Sequence, residues 1–220
     1  MKQFSLPLIA MFFITINVSC GPSSYFSTPN EIRNISSTVY LKDGEAIEGK
    51  LNINTNLFGR QSIKIYKEDN DNLMQLNIEN LKGYKSNNSF YDLKEITTGL
   101  GKGYHHKFMK RLTPVDSRIH LYEHVSKTNF QDKNKPNNGF FKAYYVQLPN
   151  EKGDIVWSLG SKKLHPHFNR KMAYVLKDCP EVSKKVRDRE DGYNYHHSSF
   201  QGQNKPQILM NIINDYNNCK

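Results

Sequence analysis

Several kinds of site are missing from this chain before any element is placed on it. Cysteine is scarce: Cys20, Cys179 and Cys219 are the three, and none forms a C-x-x-C. The eight histidines include no H-E-x-x-H. Metal sites built on those spacings are therefore excluded. Neither a G-x-x-x-x-G-K-[ST] loop nor a G-x-S-x-G nucleophile turn occurs. The glycine-rich run around Gly99, Gly101 and Gly103 is G-x-G-x-G, without the flanking strand and helix of a nucleotide site, and reads as a loop. Tryptophan occurs once, at Trp157. No apolar run is long enough to cross a bilayer comfortably as a helix.

The first 19 residues contain no acid. Lys2 is a short basic start, Phe4 to Val18 is mostly apolar, and small Ser19 precedes Cys20. Those are the parts of an export signal. Val18, Ser19 and Cys20 resemble the end of a bacterial lipoprotein signal, although Asn17 stands where that pattern carries an apolar residue. The resemblance implies cleavage after Ser19 and a lipid, palmitate included, on Cys20. Acyl chains would hold the protein on a membrane without a spanning segment. The location expected is the cell envelope, most simply the outer membrane facing periplasm or surface. With Cys20 lipidated, Cys179 and Cys219 remain, either as a disulfide that export would permit or as two buried thiols.

The whole chain carries a net charge of +10, and residues 20–220 carry +9 once Lys2 is removed. Such a balance suits nucleic acid, an anionic surface or plain solubility. Export argues against nucleic acid. The basic doublets Lys162-Lys163, Arg170-Lys171 and Lys184-Lys185 are separated along the sequence and read as solvated surface.

Residues 20–37 are polar, with Pro22, Pro29 and several serines, and read as a tether. Order is expected from Thr38. Val39 and Leu41 alternate, Asp43-Gly44 turns the chain, and Ile47, Leu51 and Ile53 resume one face, with Gly49 marking a bulge or a close backbone approach. Two short strands follow over Ser62–Tyr66 and Leu73–Ile78, with Ile78, Leu81 and Tyr84 capping the sheet. This strand pattern is similar to the opening of Sm-like and SH3-like barrels, and carries no functional residue across. Ser89–Leu93 and Tyr104–Leu112 are further strands. Arg118–Val125, Phe141–Leu148 and Asp154–Leu159 alternate as an antiparallel meander, with a long polar loop over Lys127–Gly139. The apolar period then lengthens. Phe168, Met172, Val175 and Leu176 mark one helix, Pro180 opens a second with Val182 and Val186 inside, and Ile208, Leu209, Ile212, Ile213 and Tyr216 mark a third. The fold class expected is α+β: an N-terminal antiparallel sheet or small bent barrel plus a meander, then two or three helices. The segments are a signal (1–19), a tether (20–37), a β-rich domain (38–160) and a helical region packed on it (161–220).

In layout, the export cysteine, D-G hairpin, R-I-H-L-Y and Y-Y-V strands, D-C-P helix end and terminal Y-N-N-C resemble a group of uncharacterised lipoproteins of the Bacteroidota. The resemblance implies an envelope location and no particular activity.

Chemistry is sparsely signposted. His105-His106 and His196-His197 are adjacent, which on a strand sends the rings to opposite faces. His165 and His167 are placed to converge at a helix start, and no metal or other cofactor is assigned. Cys179 lies near a helix C-terminus, where the dipole disfavours a thiolate. Glu123, Asp154 and Asp178 lack the context of catalytic carboxylates. Tyr144, Tyr145, Trp157, Tyr193 and Tyr195 are the candidate ligand surface, for glycan or peptide. The expected function is a non-enzymatic binding or structural module, held to a membrane by its lipid and facing an envelope protein, peptide or glycan. The alternative is an envelope hydrolase with dispersed carboxylates or a histidine metal site.

Overall fold

The computed structural model describes residues 23–56, 61–67, 72–97, 104–127, 139–149, 151, 153–196 and 204–219. The signal segment, Cys20, the glycine-rich run and most of the polar loop after Lys127 lie outside the described residues. Among those residues, eleven strands precede three helices. The strands are β1 (Tyr25–Thr28), β2 (Glu31–Leu41), β3 (Ala46–Thr55), β4 (Gln61–Tyr66), β5 (Leu73–Leu76), β6 (Leu81–Ser86), β7 (Ser89–Thr97), β8 (Tyr104–Arg111), β9 (His120–Lys127), β10 (Phe140–Gln147) and β11 (Ile155–Ser158). The helices are α1 (Phe168–Val175), α2 (Pro180–Asp188) and α3 (Lys205–Asn218). This is the α+β arrangement expected, with helices last.

The expected hairpin is β2–β3. Asp43 Oδ1 accepts from Glu45 N–H at 3.0 Å, and Gly44 takes the left-handed φ of 97° that the turn requires. Ile47, Gly49, Leu51 and Ile53 are buried while Glu48, Lys50 and Asn52 between them are not. Gly49 marks a close approach: a Cβ there would stand 2.2 Å from the Tyr66 carbonyl oxygen on β4.

Two local expectations are corrected. Order begins at Tyr25, within the segment read as a tether. Serines and prolines dominate that segment, but Ile32 is 2% exposed, and Asn34 (φ 55°) bulges the strand so that Ile35 still pairs with Leu51. Asn30 also ties the segment down. Its carboxamide accepts from Phe108 N–H (2.8 Å) and Gln61 Nε2 (2.7 Å), and donates to the Phe108 carbonyl (3.0 Å). The second correction concerns Ile78–Tyr84. Only Ile78–Asn80 forms a 3-10 turn, and from Leu81 the chain is a full strand, β6, between β2 and β7.

The strands lie in the order β5-β4-β3-β2-β6-β7-β8-β9-β10-β11, with β1 on the side of β2. Strand β11 then pairs parallel with β7, through Ile155↔Glu95 and Val156↔Ile96. That pairing closes β7–β11 into a five-stranded barrel. The barrel is thus made by the strands read as a meander, together with β7 and β8, while β1–β6 form the sheet that precedes it.

Strand β7 faces two ways, as alternation demands. Tyr91 and Leu93 enter the core of the N-terminal sheet with Ile32, Leu51, Ile65 and Phe108. Ile96 packs into the barrel against Met109, Tyr122 and Val156. The barrel interior also holds charge. Lys94 is 7% exposed, yet its ammonium lies 3.1 Å from Asp154 and 5.2 Å from the Tyr122 ring centroid. Arg111 pairs with Asp92 at 3.4 Å, and the Tyr122 hydroxyl is 3.3 Å from Asp92 Oδ2 and from Gln147 Oε1. Buried charges are tolerable here because each has a partner.

His124 lies edge-on to Tyr145. Burial, and secondarily the Lys107 ammonium, push its pKa down to about 4. The imidazole is therefore neutral in the fold but charges near pH ~6.5 when unfolded. Its contribution to stability is complete above that pH and is lost as pH falls from there towards about 4. Urea unfolding across this window should show the wild type losing roughly 2 kcal/mol more than His124→Gln, partial exposure having been discounted. Parallel curves would refute this role.

Candidate functional site

The three helices cover the outer face of β9 and β10. Phe168, Met172 and Leu176 turn inward from α1, Val182 and Val186 from α2, and Leu209, Ile212, Ile213 and Tyr216 from α3, against Ile119, Leu121, Val146 and Leu148. Burying that stripe of α1 leaves Arg170, Lys171, Tyr174 and Lys177 on its outer side.

The helices are pinned at one end. Cys179 and Cys219 are joined by a disulfide, with Cα atoms 6.1 Å apart and a sequence separation of 40. Beside it, Arg118 donates to Asp178 Oδ2, to the Tyr216 hydroxyl (2.9 Å) and to the carbonyls of Tyr216 and Cys219 (both 3.4 Å). Its guanidinium lies 4.1 Å from the Tyr216 ring centroid. The Tyr216 hydroxyl donates to Asp178 Oδ1 at 3.0 Å, and Asn217 Oδ1 accepts from the Arg118 and Ile119 N–H groups. Burial, then the Asp178 bond, raises the Tyr216 pKa to about 12, so the phenol remains protonated.

Between this knot, α1 and the β10–β11 turn lies a groove of about 830 Å³. Its floor is partly apolar, through Leu148 and Val175. Its walls carry Lys162, Lys163, Arg170, Lys171 and Lys177 against two carboxylates, Glu151 and Asp178. Both carboxylates are engaged, Glu151 by Lys163 at 2.8 Å and Asp178 by Arg118. Lys171 is aimed by bonds to the carbonyls of Lys162 (2.8 Å) and His165 (3.1 Å). Among the described residues, Lys162, Arg170 and Lys177 have no carboxylate partner. Tyr174 is 71% exposed, with the Lys177 ammonium 5.0 Å from its ring centroid. Such a groove attracts an extended anionic ligand through its field and offers it one aromatic face.

The five aromatic residues singled out in the sequence do not form one exposed surface. Tyr145 packs inside the barrel. Tyr195 is 5% exposed and packs against the Phe168 ring. Tyr144, Trp157 and Tyr193 pack against the helical core, Tyr144 reaching Glu123 at 3.4 Å and Tyr193 bonding Asp215. The exposed aromatic of the groove is Tyr174, which is not among those five. The signal for it was present: Arg170, Lys171, Tyr174 and Lys177 recur at the spacing of one helical face. The two basic doublets at 162–163 and 170–171, separated by the turn into α1, meet in this groove. His105 and His106 take opposite faces of β8, with His106 3.3 Å from Glu95. Among the described residues, no three His, Cys, Asp or Glu side chains gather as a metal site, and no helix is long and apolar enough to cross a membrane.

Because the disulfide closes a long loop, its removal should act mainly by freeing the unfolded chain. The pair Cys179→Ala with Cys219→Ala is expected to lower stability by about 4 kcal/mol, read by urea denaturation without reductant. A loss below ~1 kcal/mol would contradict this. Neither a family model, a curated protein nor a solved structure matches the chain.

Proposed function

We propose that this protein is an envelope lipoprotein, exported by residues 1–19 and held to a membrane through lipid on Cys20. In this reading it binds an acidic envelope protein, peptide or glycan in the groove over α1, without chemical turnover. The observation that carries the reading is the imbalance of the groove: five cations against two acids that are already paired. Pairing of both acids also supports binding over hydrolysis, since neither is left to act as a base. The strand at Tyr25 begins only a few residues after Cys20, so the groove-bearing domain would sit close to the membrane surface.

Two measurements test the two halves of this proposal. Labelled palmitate should enter the wild type and be absent from Cys20→Ala; equal labelling of both would remove the anchor. For the groove, polyglutamate serves as the acidic probe. Lys162→Glu with Lys177→Glu should weaken its binding about tenfold or more, and added salt should weaken wild-type binding steeply. Unchanged affinity in the double variant would remove the groove as the binding site.

A further inference from the structure

A second pocket, smaller than the groove, lies at the N-terminal end of α1. Its volume is about 300 Å³. Arg170 from α1, Arg187 from α2 and Arg189 just beyond α2 all line it, with His165, His167 and His196 around them. No carboxylate lines it. Asp188, Glu190 and Asp191 are near in sequence, but they are exposed and do not line the pocket. Among the described residues, none of the three guanidinium groups is paired with an acid.

The floor is built rather than loose. Asn169 is buried; its carboxamide accepts from Tyr195 N–H at 3.2 Å and donates to Asn194 Oδ1 at 2.9 Å. That fixes the 194–196 segment against α1. Phe168 and Tyr195 pack below in a tilted arrangement, with ring centroids 4.4 Å apart. Ser183 on α2 donates to the Ala173 carbonyl at 2.8 Å, locking α2 to α1. The arginines therefore project from a rigid platform. Helix α1 also starts here without a side-chain cap and without an acid in its first turn, so its positive dipole end adds to the same field.

We propose that this pocket binds a phosphate monoester. Three arginines around one cavity repel one another, and a dianion relieves that repulsion better than a single carboxylate can. A phosphoryl group also presents three acceptor oxygens, matching several guanidinium forks at once. The cavity is larger than a bare phosphate needs and falls at the small end of ligand pockets, roughly 300 Å³ upwards. The esterified part would lie on the Phe168–Tyr195 floor. Cations at the C-terminal end of α2 suit that helix's own dipole, but this accounts for Arg187 and Arg189 and not for Arg170 on a different helix. The phosphate could come from a lipid headgroup or from a soluble ester; the recognised chemistry is the same.

The test is calorimetric titration of the full-length protein in a nonionic detergent with inorganic phosphate, glycerol 3-phosphate, short-chain phosphatidic acid and glycerol. Saturable binding is expected with the three phosphates and none with glycerol. Similar affinities across the phosphates would assign recognition to the phosphoryl group alone, tighter glycerol 3-phosphate would point to a soluble ester, and tighter phosphatidic acid to a lipid headgroup. Arg187→Gln with Arg189→Asn should weaken binding about tenfold or more, as loss of charge-assisted bonds implies. Asn is chosen because Arg189 has φ 59°, which Asn tolerates. Arg170→Gln, on the exposed side of α1, gives an independent variant with the same expected loss. Lys162→Glu with Lys177→Glu, which tests the groove, should leave phosphate binding largely in place, so the two sites fail separately. Absence of saturable heat with every phosphate, or undiminished binding in the arginine variants, overturns the proposal.

Discussion

The parallel pairing of β11 with β7 is the contact on which most of this structure depends. Without it, β7–β11 would be one end of an open sheet with a short edge strand. With it, they form a ring whose interior is enclosed. Asp154 enters the position that neutralises Lys94, and the Glu95 N–H donates to the Asp154 carbonyl at 2.9 Å at the seam. A buried lysine is costly in an open, half-formed barrel and acceptable in a closed one, because closure delivers the partner along with the burial. Met109, Tyr122 and Val156 fill the space that remains.

Closure also decides where the helices can go. The inner faces of β9 and β10 are committed to the barrel, so their outer apolar residues, Leu121 and Val146 among them, need a cover. Helices α1–α3 supply it, and the disulfide with the Arg118–Asp178–Tyr216 network holds their far end. The charged surface follows from that packing. Once Phe168, Met172 and Leu176 are buried, the opposite side of α1 can only face solvent, and its cations line both the groove and the arginine pocket. Arg170 belongs to both, so one helix orientation creates two neighbouring anion-attracting sites.

Much of the local structure was legible in the sequence. The Asp43-Gly44 hairpin, the β4 and β5 strands, the three alternating strands from residue 118 and all three helices follow from apolar period and turn chemistry. The strand through Ile32 and Ile35 was hidden, because an Asn34 bulge breaks the strict period of two and serines surround it. Tyr145 and Tyr195 read as surface candidates because aromatic residues have no intrinsic side, and only the barrel and the α1 contact make them interior.

What the chain determined by itself is therefore local: which segments are strand or helix, and which face of each is apolar, since both rest on neighbours a few residues apart. The Cys179–Cys219 bond stood among the sequence's open alternatives, and the packing of α2 against α3 chose between them. Tertiary structure alone decided that a meander becomes a barrel, and that Lys162-Lys163, Arg170-Lys171 and Arg187 meet around one helix. The reason is physical. Strand closure and charge convergence join residues far apart in sequence, through pairings and fields that no local period encodes.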